Sequence, residues 1–358
     1  MVIIWTVVAL ILVELCFRFW HHSKFKRPYH VSIKFSWNKS HVVTHPYLSF
    51  AYKKNETIDK NQKLPYPLHT NKFYSFHQPL QLNNLGHFGK NLNVEKDENT
   101  LRVFCLGAST TANNISDGEK DYSYPSLLQK HLEDKFDGNI KVEVANCGIG
   151  GWASPDILIS FLLNLVKYKP DYIILYHGYN DLGAFLTNNF QSDYQHFRRN
   201  LGEVIHKIKL AYRFPKIKFW HSYEYIKDKI FGTGNVRNDV LHLIKKESIN
   251  LNLPYEDLKV ESDIIKNILI IAKYYDIKCV LSSFVYYDYE KTWQSFKLKQ
   301  GVEQQNLLRK SLAEEFKCDY IDQDKLIPRD EKCFVDSVHF TPYGMNLLAN
   351  NFSKAIEV

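Results

Sequence analysis

Four short stretches, far apart in the chain, hold the residue types that acyl transfer through a serine requires. They are Gly107-Ala108-Ser109, Asn146-Cys147-Gly148-Ile149-Gly150-Gly151, Gly178-Tyr179-Asn180-Asp181 and Asp336-Ser337-Val338-His339. A serine hydroxyl is a weak nucleophile at neutral pH, so it needs a base to take its proton and a third group to orient that base. Ser109 offers the hydroxyl and His339 the base. Asp336, three residues before His339, can hold one imidazole nitrogen while the other addresses Ser109. The tetrahedral intermediate carries a negative oxygen that preorganised donors must meet. The backbone N–H groups of Ser109 and Gly151 and the side-chain amide of Asn180 are the candidates for that oxyanion hole.

Taken singly, these stretches read as a tight turn, a phosphate-type glycine loop, a turn pair and a helix cap. Together, in this order and each after a strand-like run, they describe one site. No lysine follows the glycines, which argues against a phosphate loop and makes a nucleotide-binding module the weakest rival. The six cysteines, Cys16, Cys105, Cys147, Cys279, Cys318 and Cys333, lack metal-ligand spacing; several sit in or beside apolar runs and read as small buried thiols, and neither a disulfide framework nor a zinc site is indicated. No metal and no cofactor are expected.

The elements between the stretches supply the means of bringing them together. From Leu101 onward, short apolar runs alternate with longer amphipathic ones. Strands are predicted over Arg102–Leu106, Val142–Ala145, Tyr172–Tyr176, Cys279–Phe284 and Tyr320–Ile321. Helices are predicted over Tyr124–Phe136, Ser154–Val166, Ser262–Tyr275, Gln300–Phe316 and Pro342–Ala355, with Ser154 read as a cap and Pro155 as a first-turn proline. Such alternation predicts an α/β, doubly wound parallel sheet, whose sites form at the carboxyl ends of its strands.

Residues 1–22 stand apart as a membrane anchor. Val2 to Val13 is apolar apart from Thr6, Arg18 can snorkel, and Trp20 suits an interface, although the length is marginal for a span of roughly 20 residues. A cleaved signal peptide is disfavoured because no basic residue precedes the run and no small-x-small site follows it. Basic residues only after the run point the body toward the cytoplasm, a weak indicator for one span, so the side stays open. Residues 23–98 read as an irregular arm, in which Leu82–Gly89 suggests a fixed turn without chemistry of its own. Residues 99–358 form the catalytic domain, interrupted at about 210–253 by an insertion that mixes aromatic and lysine residues and could lie on a membrane, cover the site or simply be solvated. The net charge of +7 suits an anionic surface, and no basic block suggests nucleic acid.

From about Thr100 to its end the chain resembles the SGNH, or GDSL, hydrolase family. Gly107-Ala108-Ser109 matches its first block with Ala108 in place of the usual Asp, and Asn146–Gly151, Gly178–Asp181 and Asp336–His339 match the others. The resemblance implies a flavodoxin-like sheet with helices on both faces. It also implies Ser109, Asp336 and His339 as the triad and Ser109, Gly151 and Asn180 as oxyanion donors, with Gly151 preferred over Gly148 or Gly150 by register. The activity implied is a serine esterase or acylhydrolase. The arm and its turn further resemble membrane-attached members of polysaccharide pathways, which implies an acylated carbohydrate or lipid substrate. An acyltransferase using the same serine, and a silent adaptor in a membrane assembly, remain open alternatives.

Overall fold

The computed structural model describes residues 2–25, 42–43, 45–58, 80–112, 121–186, 190–195, 222–223, 225–226, 230, 258–289 and 291–358. Chain contacts group into a larger unit of His41–Asn61, Leu68–Arg198 and Ile244–Val358, and a smaller one of Met1–Ser40, Gln62–Pro67 and Arg199–Leu243.

Five strands carry the larger unit: β1 (Thr100–Gly107), β2 (Lys141–Gly148), β3 (Tyr172–Tyr176), β4 (Lys278–Ser282) and β5 (Asp319–Ile321). All pair in parallel, in the spatial order β2-β1-β3-β4-β5. That is the flavodoxin-like order, with its switch point between β1 and β3. Every residue of β1 and β3 is buried, as expected of central strands covered on both faces. Alternation divides the side chains of β1. Leu101, Val103 and Cys105 join one cluster with Tyr124, Leu128 and Leu132 and with Leu348 and Phe352, so Phe104 and Leu106 face the other way.

Those cluster partners belong to α3 (Tyr124–Phe136) and α9 (Pro342–Ser353), which pack on each other. A second set of helices, α4 (Ser154–Ser160), α6 (Lys259–Tyr274) and α7 (Trp293–Phe316), contact one another in series. Short helices α2 (Ser109–Ala112), α5 (Tyr179–Phe185) and α8 (Gln323–Leu326) follow β1, β3 and β5. Most elements differ from the sequence reading by a few residues at their ends, the expected strand Cys279–Phe284 stopping at Ser282 and the expected helix from Ser262 starting at Lys259; at α4 and α7 the cause is visible. Ala153, not Ser154, is the N-cap of α4, because the Ser154 hydroxyl bonds Asp181 instead. Beyond Ser160 the helix widens into a π turn over Phe161–Leu165 and ends in a 3₁₀ turn at Tyr168. Helix α7 begins seven residues before the expected start at Gln300, where Thr292 and Ser295 form a reciprocal capping box.

The described part of the arm is irregular, with two-residue ladders pairing Val42–Val43 with Ala51–Tyr52 and Thr57–Ile58 with Leu80–Gln81. Leu82 and Phe88 bridge across the turn between them.

In the smaller unit, α1 runs Val2–Phe25, and Ile4–Ser23 is long and apolar enough to cross a membrane. Its one acid, Glu14, is paired with Arg18 at 2.8 Å and accepts the Ser222 N–H at 2.9 Å. The Tyr225 ring lies 5.1 Å from that of Phe17. Most of the insertion at 210–253 lies outside the described residues.

Candidate active site

Strand β1 ends at Gly107, and the chain turns at once into α2, whose first residue is Ser109. This is the strand-to-helix turn that lifts a side chain above the sheet edge. The Thr111 hydroxyl fixes the turn by donating to the Tyr176 carbonyl of β3 at 3.0 Å.

His339 reaches Ser109 from a loop between α8 and α9. That loop is pinned by a bridge between Phe334 and Phe340 and by bonds Val335 N–H to His339 O at 2.9 Å and Thr341 N–H to Cys333 O at 2.9 Å. Asp336 Oδ1 accepts the backbone N–H groups of Val338 at 2.9 Å and His339 at 2.8 Å, the local turn that aspartate side chains favour. Its other oxygen meets His339 Nδ1 at 2.8 Å, and His339 Nε2 lies 3.0 Å from Ser109 Oγ. The structure therefore lines up Asp336, His339 and Ser109 in one hydrogen-bonded chain.

The electrostatics follow from that geometry. Burial by itself would lower the His339 pKa, but the Asp336 charge and hydrogen bond outweigh it and raise the value above 6.5. Burial works against ionisation of Asp336, yet the His339 charge and three hydrogen bonds hold it well below the usual carboxylate range. The carboxylate is thus charged at neutral pH, and it orients the ring with one nitrogen toward Ser109.

The loop after β2 contains Gly148 to Trp152. Gly148 N–H donates to Asn146 Oδ1 at 3.1 Å, Ile149 N–H to Gly107 O at 3.3 Å, Trp152 N–H to Ile149 O at 3.2 Å, and Gly150 N–H to the Tyr52 hydroxyl. Gly151, at φ +88°, keeps an N–H with no hydrogen-bond partner among the described residues. The left-handed backbone explains glycine there, and the N–H groups of Gly148 and Gly150 are already engaged. Asn180, on the first turn of α5, donates one amide hydrogen to the Trp152 carbonyl at 2.8 Å. That acceptor fixes which way the amide faces and leaves its second N–H available.

Beneath Asn180 lies a cluster that the sequence reading missed. Asp181 is buried and accepts Ser154 N–H at 3.0 Å, Ser154 Oγ–H at 2.5 Å and Tyr194 O–H at 2.9 Å. Glu261 accepts from Arg309 and, at 2.5 Å, from Gln305, whose amide also donates to the Gly178 carbonyl at 3.1 Å. Burial, above all other influences, raises both acids, Glu261 to about 7. His177 Nε2 sits 3.3 Å from Glu261 and 3.7 Å from Asp181, without a hydrogen bond on either ring nitrogen.

His177, Asp181 and Glu261 also form the one set of possible metal ligands found among the described residues. The Arg309 guanidinium bonded to Glu261 already supplies the positive charge that a cation would bring there. A signal for this network did exist in the sequence. Glu261 shares the apolar stripe of Ile265, Ile268, Leu269 and Ala272, and Arg309 follows Gln305 and Asn306 on the face of α7 that also buries Val302, Leu312 and Ala313, so each charge sits on the inward face of its helix.

Three solved structures illustrate the likenesses found. An acetylxylan esterase from Geobacillus stearothermophilus is 14% identical, over 72% of this chain and 94% of its own, at a TM-score of 0.44. An alpha/beta hydrolase enzyme from the metagenome of Lake Arreo, Spain, is 14% identical, over 73% and 96%, at 0.43. A further acetyl xylan esterase is 16% identical, over 72% and 100%, at 0.41. No curated protein matches the chain. The sequence profile of GDSL-like lipases and acylhydrolases matches residues 105–347, a stretch that starts inside β1, closes within α9 and takes in all four blocks. With well over half of its length matched in this way, the chain belongs to the GDSL-like lipase/acylhydrolase family.

Proposed function

We propose that this GDSL-family acylhydrolase cleaves O-acyl esters of a carbohydrate through a covalent acyl-serine intermediate. Ser109 Oγ attacks the ester carbonyl as His339 Nε2 takes its proton, and the imidazolium that forms is stabilised by Asp336. The N–H groups of Ser109 and Gly151 and the Asn180 amide receive the developing oxyanion. His339 then returns the proton to the leaving alcohol oxygen. Water, deprotonated by the same histidine, attacks the acyl-enzyme and releases the carboxylic acid and Ser109. The observation that carries this reading is the continuous chain from Asp336 Oδ2 through His339 to Ser109 Oγ. The choice of a carbohydrate ester as substrate rests on the resemblance of the arm and its turn to membrane-attached polysaccharide-pathway members.

The test is acetate release from an O-acetylated oligosaccharide, with and without a non-acetylated oligosaccharide acceptor. Hydrolysis predicts free acetate at the same rate in both, and loss of release in Ser109→Ala. Transfer of acetyl to the added sugar in place of acetate would establish the acyltransferase alternative. Release that persists in Ser109→Ala would remove the serine mechanism altogether.

Residues 1–22 are proposed as a retained membrane anchor. In support, Glu14 is engaged by Arg18 and by Ser222, and Phe17 by Tyr225, contacts that a cleaved leader would not leave in the mature protein. The full chain should need detergent for extraction and should keep its N-terminus. Recovery in the soluble fraction, or a mature N-terminus beyond residue 22, would contradict this.

A further inference from the structure

The Leu82–Gly89 turn and the strand around Tyr52 are the parts of the arm that the chemistry above does not use. They are also the most tightly specified part of it. Asn83 Oδ1 accepts the N–H groups of Leu85 at 2.9 Å and His87 at 3.0 Å, while Asn83 N–H donates to His87 O at 2.8 Å. Gly86, at φ +81°, presses so closely on Tyr52 that a Cβ there would lie 2.6 Å from the Tyr52 carbonyl oxygen. The turn and the strand are therefore one piece. Tyr52, His87 and Phe88 are all buried in it.

Each part of this piece grips the loop that carries Gly151. The Tyr52 hydroxyl accepts the Gly150 N–H. The His87 ring donates to the Gly148 carbonyl and stands edge-on to Trp152, with centroids 6.0 Å apart at 90°. The Trp152 indole N–H donates to the Phe50 carbonyl at 3.0 Å. Just beyond, Asp156 accepts the N–H of Ser49 at 2.8 Å and its hydroxyl at 3.0 Å. Burial lowers the His87 pKa to about 4, so the ring is neutral with a single N–H to give, and Nδ1 has no hydrogen-bond partner.

Two consecutive glycines make such a grip necessary. The direction of the Gly151 N–H is set by the peptide plane between Gly150 and Gly151, and neither residue has a Cβ to restrict rotation of that plane. Its orientation must come from what holds each side. On one side Gly148 and Gly150 are held by His87 and Tyr52. On the other, Trp152 is held through its indole by Phe50 and through its carbonyl by the Asn180 amide. A preorganised donor is worth most when it need not reorient as charge develops.

We infer that the N-terminal arm is a working part of the active site, in which Tyr52 and His87 are positioning residues that hold the Gly150–Gly151 peptide as an oxyanion donor. This rests on the reading of Gly151 and Asn180 as oxyanion donors. Neither Tyr52 nor His87 touches the reacting atoms; both act through the loop.

The experiment compares full-length wild type with Tyr52→Phe, His87→Leu, His87→Gln and Asn180→Ala. It measures kcat and KM on one short-chain ester and the inhibition constant of a small alkylboronic acid, whose tetrahedral serine adduct places an oxygen in the oxyanion position. Tyr52→Phe, which removes one hydroxyl, should lower kcat about tenfold with KM nearly unchanged, and should weaken boronate inhibition by a similar factor, as expected for one hydrogen bond. His87→Leu should do the same, and His87→Gln, whose amide can donate to Gly148, should recover most of the loss. Asn180→Ala separates the two readings. If it weakens boronate inhibition while Tyr52→Phe and His87→Leu inhibit and turn over like wild type, the arm has no positioning role and the inference is overturned. If Asn180→Ala leaves boronate inhibition unchanged, the oxyanion reading beneath it has failed. A kcat loss in the arm variants that Gln fails to restore at position 87, with boronate inhibition intact, would mark them as merely structural.

Discussion

Two histidines of the larger unit, His339 and His177, each lie within 4 Å of carboxylate oxygens, yet their environments push them in opposite directions. His339 has one nitrogen in line with Asp336 Oδ2 at 2.8 Å, and its pKa rises despite burial. His177 has two acids at 3.3 and 3.7 Å but a hydrogen bond to neither, and burial followed by the Arg309 charge drives its pKa well below 6.5. Closeness alone does not make a histidine basic. What counts is a hydrogen bond aligned with an uncompensated carboxylate, and the carboxylate nearest His177, Glu261, is already claimed by Arg309. One site is thus poised to move a proton, and the other is closed around its charges.

The widest separation between the two should appear in turnover. His339→Ala should lower kcat on the order of 10⁴- to 10⁶-fold, close to the Ser109→Ala level, because triad members act as a unit. His177→Ala should leave kcat within about tenfold and appear mainly as a lower thermal midpoint. Near-normal turnover in His339→Ala would remove His339 as the base. Next in size, Glu261→Ala should destabilise the fold by about 3–5 kcal/mol, because it leaves the Arg309 guanidinium buried and unpaired. Urea unfolding of this variant measures that cost. A change below about 1 kcal/mol would mean that the network is not a closed ion-pair assembly.

Asn180→Ala probes the boundary between the two regions, since the Asn180 amide donates to the Trp152 carbonyl while its neighbour Asp181 belongs to the buried cluster. A kcat lower by roughly 10²- to 10³-fold with little change in KM is expected, the loss of one donor that acts on the transition state. A defect confined to KM would move Asn180 out of the oxyanion hole. The smallest effect is in pH dependence. The base must be neutral to accept a proton, so kcat/KM should fall as pH drops through the raised His339 pKa, above 6.5. Asp336→Asn removes the charge that raises it, so the residual activity should persist to lower pH. An acid limb that stays in place in this variant belongs to some other group.

The four blocks and the parallel sheet were legible in the sequence because both depend on local patterns. Tyr172–Tyr176 is continuously apolar since it is covered on both faces, and Asp336 and His339 are close enough in the chain to meet within one loop. The start of α7 was not legible from hydrophobic period, because the apolar residues of Trp293 to Lys299 are not on a buried stripe, Trp293 and Phe296 being exposed, and its helix is set by the Thr292–Ser295 cap. The buried network was hidden for a different reason. Glu261 and Arg309 lie 48 residues apart, and nothing in either helix alone shows that folding will pair them. Tyr52 and His87 were passed over because their partners are backbone groups of Gly150 and Gly148, which carry no side-chain signature at all.

Covalent labelling of the full-length protein with a fluorophosphonate, followed by mass identification of the modified peptide, tests Ser109 as the nucleophile without need of a known substrate. A serine activated by His339 should react, so the adduct should map to Ser109, and labelling should vanish in Ser109→Ala and nearly vanish in His339→Ala. An adduct on any other residue, or equal labelling of wild type and Ser109→Ala, would show that Ser109 is not the nucleophile.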